Sequence, residues 1–312
     1  MRVLIVGGAG FLGTNLAHLC FSRRDDVVVL DSLEPRLRST TDGLATIRDR
    51  IKFVQADVRD SAELVRDCDV IVNCAGQTSH PVSMKDPAFD IELNCASNIA
   101  LLEAVRMHNP GAVIVYTSTS TVVGKATAGV AAIDETHLEA PLDIYSANKL
   151  AAEKYYRIYH TAHGLKTIIL RFPNLYGPYG KPFPELGFIN YFISLAAGGG
   201  EIQLYGTGEQ LRNAVYAGDA CEVIVAAAER LTAYGTPLFA AHDEHISVAE
   251  IALQIVATFG GSVRHVEWPA DRKKIEVDNQ VISGARLHSL LGWKAKRSFR
   301  DGLAETLERM KR

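Results

Sequence analysis

Over the first half of the chain, short runs of consecutive apolar, mostly β-branched residues alternate with longer stretches of helical period. RVLIV (2–6), VVVL (27–30), IKFVQA (51–56), DVIVN (69–73), AVIVYTS (112–118) and KTIILRF (166–172) read as strands. They lack the in–out polar alternation of a half-exposed sheet, so both faces must be covered. FLGTNLAHLCFSRR (11–24), DIELNCASNIALLEAVRMH (90–108) and SANKLAAEKYYRIYHTAHG (146–164) carry the helical period between them, the last ending at Gly164. Apolar strands alternating with helices predict an α/β fold with a doubly wound parallel sheet of Rossmann type.

The rhythm changes after residue 172. Pro and Gly cluster in PNLYGPYGKPFPELG (173–187), and later elements are shorter and mixed. This predicts a first domain over residues 1–172, rejoined by about 213–240 through the helical run DACEVIVAAAERL (219–231). A smaller, interleaved α/β substrate-binding lobe then takes 173–212 and 241–312.

Composition narrows the class. At 312 residues, 47% hydrophobic and 22% charged, the chain can bury a sizeable core as a soluble globular protein. A net charge of -3 with mixed signs leaves no basic stripe for nucleic acid and no cationic block for a membrane surface. The apolar N-terminal run is interrupted by glycine too soon for a signal peptide. The five cysteines are scattered in apolar contexts, and no His/Cys/carboxylate cluster has metal-ligand spacing. Reduced thiols in a cytoplasmic protein without a metal are therefore expected.

Directly after the first strand stands GGAGFLG, which satisfies G-x-G-x-x-G with Gly8, Gly10 and Gly13 and G-x-x-G-x-x-G with Gly7, Gly10 and Gly13. Glycines there allow a tight turn and close approach of a pyrophosphate, onto which the next helix points its unpaired N–H groups. Asp31 ends the second strand, placed to accept from an adenosine ribose diol and to repel a 2′-phosphate. That favours NAD over NADP, which Arg36 and Arg38 offset only slightly. Asp57, followed by Val58, reads either as an adenine contact or as a helix N-cap.

In DIYSANK (143–149), Tyr145 and Lys149 are spaced i, i+4 and so share a helix face. A phenol has a pKa of about 10; each unit by which a neighbouring cation lowers it is worth about 1.4 kcal/mol. Tyr145 would then serve as base for an alcohol. TSTST (117–121) ends the fifth strand, where hydroxyls line the ligand crevice of such sheets.

Together with AGQTSHPVSMKDP, TSTSTVVG, LRFPNLYGP, GTGEQLRN and LGWKAK, these segments resemble the extended short-chain dehydrogenase/reductase family, in particular NAD-dependent nucleotide-sugar epimerases and dehydratases. The resemblance implies Tyr145 as catalytic base, Lys149 as its partner on the nicotinamide ribose, and Thr119 as the catalytic hydroxyl. It adds Phe11, Leu12, Ala75 and Phe172 to the cofactor contacts. For a nucleotide-diphosphate sugar it implies Gln77, Ser79, Asn94, Asn174 and Arg212. Arg272 reads equally as a second phosphate arginine or as a solvated charge; His80 reads as a satisfied loop histidine ahead of a substrate contact. A homodimer through segments 90–105 and 145–159 also follows from the resemblance. Val123 and Asn213 depart from the family pattern at positions that bear on the sugar.

Dehydratases of this kind carry Asp-Glu directly after the catalytic Thr, and related decarboxylases carry the Glu; here Ser120 and Thr121 stand there. Without those acids, the simplest course is return of the hydride to the opposite face. The expected activity is inversion of carbon 4 of a UDP-sugar through a transient keto intermediate. CDP- or GDP-sugar epimerisation at another carbon, keto-sugar reduction and non-catalytic NAD sensing are the competing readings.

Overall fold

The computed structural model describes residues 1–126, 129–268 and 279–311. Its strands are β1 (Arg2–Val6), β2 (Asp26–Asp31), β3 (Lys52–Gln55), β4 (Val70–Asn73), β5 (Val113–Thr119), β6 (Lys166–Phe172), β7 (Asn174–Tyr176), β8 (Glu201–Tyr205), β9 (Leu211–Arg212), β10 (Ala214–Tyr216), β11 (Pro237–Phe239), β12 (Ile246–Ser247) and β13 (Ser262–Val266). The chain divides into two compact units, 1–119 with 143–171 and 221–238, and 120–142 with 172–220 and 239–312. Residues 120–142 and 213–220, expected in the first, group with the second.

In the first unit the sheet order is β3-β2-β1-β4-β5-β6-β11, and the pairings from β3 through β5 are parallel. The order reverses between β1 and β4, which opens a ligand crevice at the carboxyl ends of those strands. Continuous burial of Leu4, Val28, Ile71 and Ile114 against Leu101, Leu102 and Tyr156 accounts for the absence of polar alternation in these strands. The helix Ile144–His163 is started by Asp143, whose Oδ1 accepts from Ser146 N at 2.8 Å. Gly164 stops it in a left-handed conformation at φ 70°, the usual device at a helix C-terminus.

The stretch 90–108, expected as one helix, is not uniform. It comprises the helix Pro87–Ile91, a wider π turn over Glu92–Ala96, and the helix Ser97–His108. Side chains take up carbonyls that the wider turn shifts from their regular partners: Ser97 Oγ donates to Leu93 O (2.5 Å) and Asn98 Nδ2 to Asn94 O (2.9 Å). Hydrophobic period carries no sign of this, because the turn is stabilised by polar side chains on its buried face.

The second unit has its own core, in which Ile189, Phe192, Ile202, Leu204, Ile251, Ile255, Phe299 and Leu303 pack together. Among the described residues its strands form three two-stranded pairs, β7–β10 and β8–β13 parallel and β9–β12 antiparallel. The helix Val248–Phe259 begins with a complete Ser247/Glu250 capping box. Among the described residues no helix is long and apolar enough to cross a membrane.

Candidate functional site

The glycine loop of the first unit is shaped by what a side chain would strike. A Cβ on Gly7, which sits at φ +74°, would lie 2.6 Å from the backbone of Ala75; one on Gly13 would lie 2.4 Å from Gly7 O. These glycines let the loop abut the end of β4 and let the helix Phe11–Ser22 abut the loop. Gly10 differs. Its backbone is ordinary (φ -77°, ψ 175°), and a Cβ there would meet nothing nearer than Gly7 O at 3.1 Å. Gly10 is also the N-cap of a helix with no side-chain cap, which leaves the first-turn N–H groups of Phe11, Leu12 and Gly13 to an outside acceptor. A bare cradle of donors at a helix N-terminus fits a dinucleotide pyrophosphate.

Asp31 is buried at the end of β2, where its two oxygens accept from Ala9 N and Leu33 N, each at 2.9 Å. The carboxylate thus holds the glycine loop, and the adenosine-side role expected for it would be added to that task. The Asp57 alternatives fall toward the cap: Oδ1 accepts from Arg59 N at 2.9 Å, and the Arg59 guanidinium grips both oxygens. That pairing holds the Asp57 carboxyl below its usual range. Val58 opens the short turn that Asp57 caps.

Thr119, Tyr145 and Lys149 come together. All three are buried, and the Thr119 hydroxyl hydrogen-bonds the Tyr145 phenol. Burial pushes the phenol's pKa up, and this hydrogen bond opposes it. Lys149 Nζ donates to Thr117 O at 2.8 Å and lies 4.3 Å over the Tyr116 ring. Burial lowers its pKa to about 8 against the pull of Glu153. Glu153, one turn further on the same helix face, accepts from Ser118 Oγ at 2.5 Å and from Arg171 at 2.6 Å, a fully buried ion pair that anchors the helix to β5 and β6. Burial thus disfavours the charged form of both the ammonium and the phenol.

The expected substrate residues Gln77 and Ser79 are committed elsewhere within the unit. Gln77 Nε2 donates to Asp90 Oδ2 (2.7 Å) and Ser79 O (2.8 Å), Gln77 Oε1 accepts from Ser79 N, and Ser79 Oγ caps the helix His80–Lys85. Both side chains are buried, so the structure gives them scaffolding work. Asn94 lies in the π turn, wholly buried. Its Nδ2 donates to Gln77 O at 2.9 Å, while Oδ1 has no hydrogen-bond partner among the described residues and lies against Gly76, where a Cβ would come within 2.5 Å of it.

Sequence reasoning missed Asp90. This carboxylate is fully buried and accepts from Gln77 and from Asn148 Nδ2 (2.7 Å). The available signal was an acid in the predicted helix four residues before Asn94 and hence on its face. It also missed the partnership of Asp143 with His80, a contact between residues 63 apart.

In the second unit Phe172 is buried. Asn174 pairs with Ala214, and its Nδ2 donates to Asn213 O at 3.0 Å; Arg212, two residues before Ala214, is buried with Nη1 donating to Leu211 O. Asn213 is enclosed: its amide donates to His242 O (2.7 Å) and accepts from His242 N (2.9 Å). This residue's departure from the family pattern therefore serves a loop. Val123 is buried as well. Arg272 lies outside the described residues.

Comparison with known proteins places this geometry. Residues 3–237 match the model of the NAD dependent epimerase/dehydratase family. A putative UDP-glucose 4-epimerase of Methanocaldococcus jannaschii is 31% identical over 221 residues, covering 70% of each chain. A dTDP-glucose 4,6-dehydratase of Mycolicibacterium smegmatis is 30% identical over 99% of this chain and 92% of its own. Among solved structures, the Thermus thermophilus UDP-glucose 4-epimerase in complex with NAD superposes with a TM-score of 0.87 at 28% identity, covering 100% of this chain and 99% of that one.

Proposed function

The chain belongs to the NAD-dependent epimerase/dehydratase family, and from that premise we propose that it inverts carbon 4 of a UDP-sugar. NAD, when bound, would supply the acceptor and donor of a hydride at the sugar carbon. The chain's own residues handle the proton: Tyr145 takes it from the carbon 4 hydroxyl, Thr119 holds the same oxygen, and Lys149 supplies the charge that favours the phenolate. Gly7, Gly10, Gly13 and Asp31 hold the dinucleotide, and Asn174 and Arg212 the diphosphate, to which an arginine fork is suited.

The observation that carries epimerisation over dehydration is the pair Ser120 and Thr121 following Thr119. A 4-keto sugar acidifies the neighbouring carbon-bound hydrogen, but expelling water also needs an acid for the leaving hydroxyl, and no carboxylate stands at those positions. A dimer through the helices Ser97–His108 and Ile144–His163 is supported by the exposure of Ile99 and Ile158 on them; sedimentation equilibrium tests it.

The test is a panel of UDP-glucose, UDP-N-acetylglucosamine, UDP-glucuronate, dTDP-glucose and CDP- and GDP-sugars, incubated with the protein in heavy water without added cofactor. Hydride return places no deuterium on carbon, whereas dehydration exchanges a carbon-bound proton. A carbon 4 epimer free of deuterium is expected by NMR. A deuterated 6-deoxy-4-keto product would replace this reading with dehydration. In the same assay Tyr145→Phe should lose about 100- to 10,000-fold in turnover; turnover near wild type would remove Tyr145 as the base.

A further inference from the structure

The buried ammonium of Lys149 has an aromatic ring for a neighbour, within the first unit. Its hydrogen bond among the described residues, Nζ to Thr117 O at 2.8 Å, goes to a neutral carbonyl. Tyr116, the residue before Thr117 on β5, sets its ring against the ammonium, with Nζ 4.3 Å from the centroid. That ring is fully buried and is itself fixed by Tyr156, stacked on it with centroids 4.5 Å apart at 17°. Tyr156 comes from two turns further along the helix of Lys149, and its Oη accepts from Asn73 Nδ2 at 3.1 Å. The Tyr116 hydroxyl, by contrast, has no hydrogen-bond partner among the described residues. What Tyr116 contributes here it contributes with its ring.

We propose that Tyr116 is a positioning residue for Lys149: the electron-rich face of its ring, held by Tyr156, keeps the buried ammonium charged and in place beside Thr117. This rests on the reading of Lys149 as the charge that favours the Tyr145 phenolate. An aromatic face attracts a cation through its quadrupole, and the attraction grows where water cannot compete for the charge. The ionisable groups around Lys149 are Glu153 and Tyr145 on its own helix, Asp90 from the helix Pro87–Ile91, Cys74 after β4 and Cys95 in the π turn. Burial lowers the lysine's pKa, while Glu153, Cys74, Asp90 and Cys95 act to raise it. The two carboxylates are hydrogen-bonded elsewhere, Glu153 to Ser118 and Arg171 and Asp90 to Gln77 and Asn148. The ring of Tyr116 lies against the ammonium itself.

The test changes the ring's electrons and leaves its shape nearly alone, on the NAD-loaded full chain. Tyr116→Phe keeps the ring and removes the unpartnered hydroxyl; a trifluorinated phenylalanine at the same position withdraws electron density from the ring face. The first readout is the Lys149 midpoint, followed by carbon NMR of labelled lysine Cε and assigned by its loss in Lys149→Met. The midpoint should be alike in wild type and Tyr116→Phe and lower by about one pH unit in the fluorinated chain, because only the charged form loses a partner. A midpoint unmoved by fluorination, or moved as far by Tyr116→Phe alone, overturns the inference whether or not a substrate is in hand. The second readout is kcat and KM for UDP-glucose against pH. A lowered lysine pKa removes charge only at high pH. The fluorinated chain should therefore match Tyr116→Phe at the acid end and fall about tenfold below it in kcat above both midpoints, with KM little changed. A loss equal at every pH is a packing effect and sinks the inference. A midpoint that moves while kcat stays level across pH sinks instead the reading of Lys149 beneath it.

Discussion

The loop Gly7–Gly13 and the helix Ile144–His163 contribute to the first unit's site in opposite ways. The loop works by absence: backbone closes on backbone at Gly7 and Gly13 within distances no Cβ survives, and what it offers a ligand is main-chain N–H groups. The helix works through side chains it has had to bury. Tyr145, Lys149 and Glu153 lie along one face at successive turns, and burial displaces the ionisation of Tyr145 and Lys149. Gly7 and Gly13 should therefore be intolerant of added atoms, and the helix should carry an energetic cost for its chemistry.

The sharpest way to break this contrast is Gly13→Ala. Its Cβ would face Gly7 O and Gly8 Cα at 2.4 and 2.6 Å, and neither is a side chain that can swing away. A loss of about 4 kcal/mol or more in urea unfolding is expected; a loss below about 1 kcal/mol would show that the helix moves freely against the loop.

Lys149→Met should go the other way. A pKa lowered from 10.5 to about 8 corresponds to about 3 kcal/mol of burial cost, from which about 1 kcal/mol is subtracted for the hydrogen bond to Thr117. Unliganded Lys149→Met should thus be about 2 kcal/mol more stable than wild type at pH 7 while losing turnover and affinity for NAD. The sign with pH follows: the folded pKa lies below the unfolded one, so wild type recovers stability as pH rises from about 8 to 10.5 and the gap closes. A variant less stable than wild type across this range would mean that Lys149 is held by more than it costs.

The smallest change in fold is expected for Gly10→Ala, within about 1 kcal/mol, because its one near contact, Gly7 O at 3.1 Å, asks for a small shift and the backbone is ordinary. It should nevertheless retain added NAD less tightly than wild type through gel filtration. Retention of NAD by Gly10→Ala would mean that the loop's third glycine serves geometry like the others.

The same contrast marks how far the site was legible. The glycine loop, Asp31 at the end of β2, and the Tyr145/Lys149 pair with Thr119 were all readable, since each depends on a residue type at a fixed place relative to a strand or helix end. Gln77 and Ser79 were read as substrate groups but are bound up with each other and with Asp90. Nothing local distinguishes a polar residue that meets a ligand from one that closes a loop.

What this sequence determined by itself is the set of features that a residue imposes on its own backbone. Apolar β-branched runs make strands covered on both faces, Asp143 and Gly164 start and stop the tyrosine helix, and glycines permit the turn after β1. What the tertiary structure decided is who meets whom: Asp90 with Gln77 and Asn148, His80 with Asp143, Arg171 with Glu153. Those pairs span between 13 and 63 positions. A period of 3.6 or 2 encodes which face a side chain takes and not its partner, and burial in that company is what sets the charge on Tyr145 and Lys149.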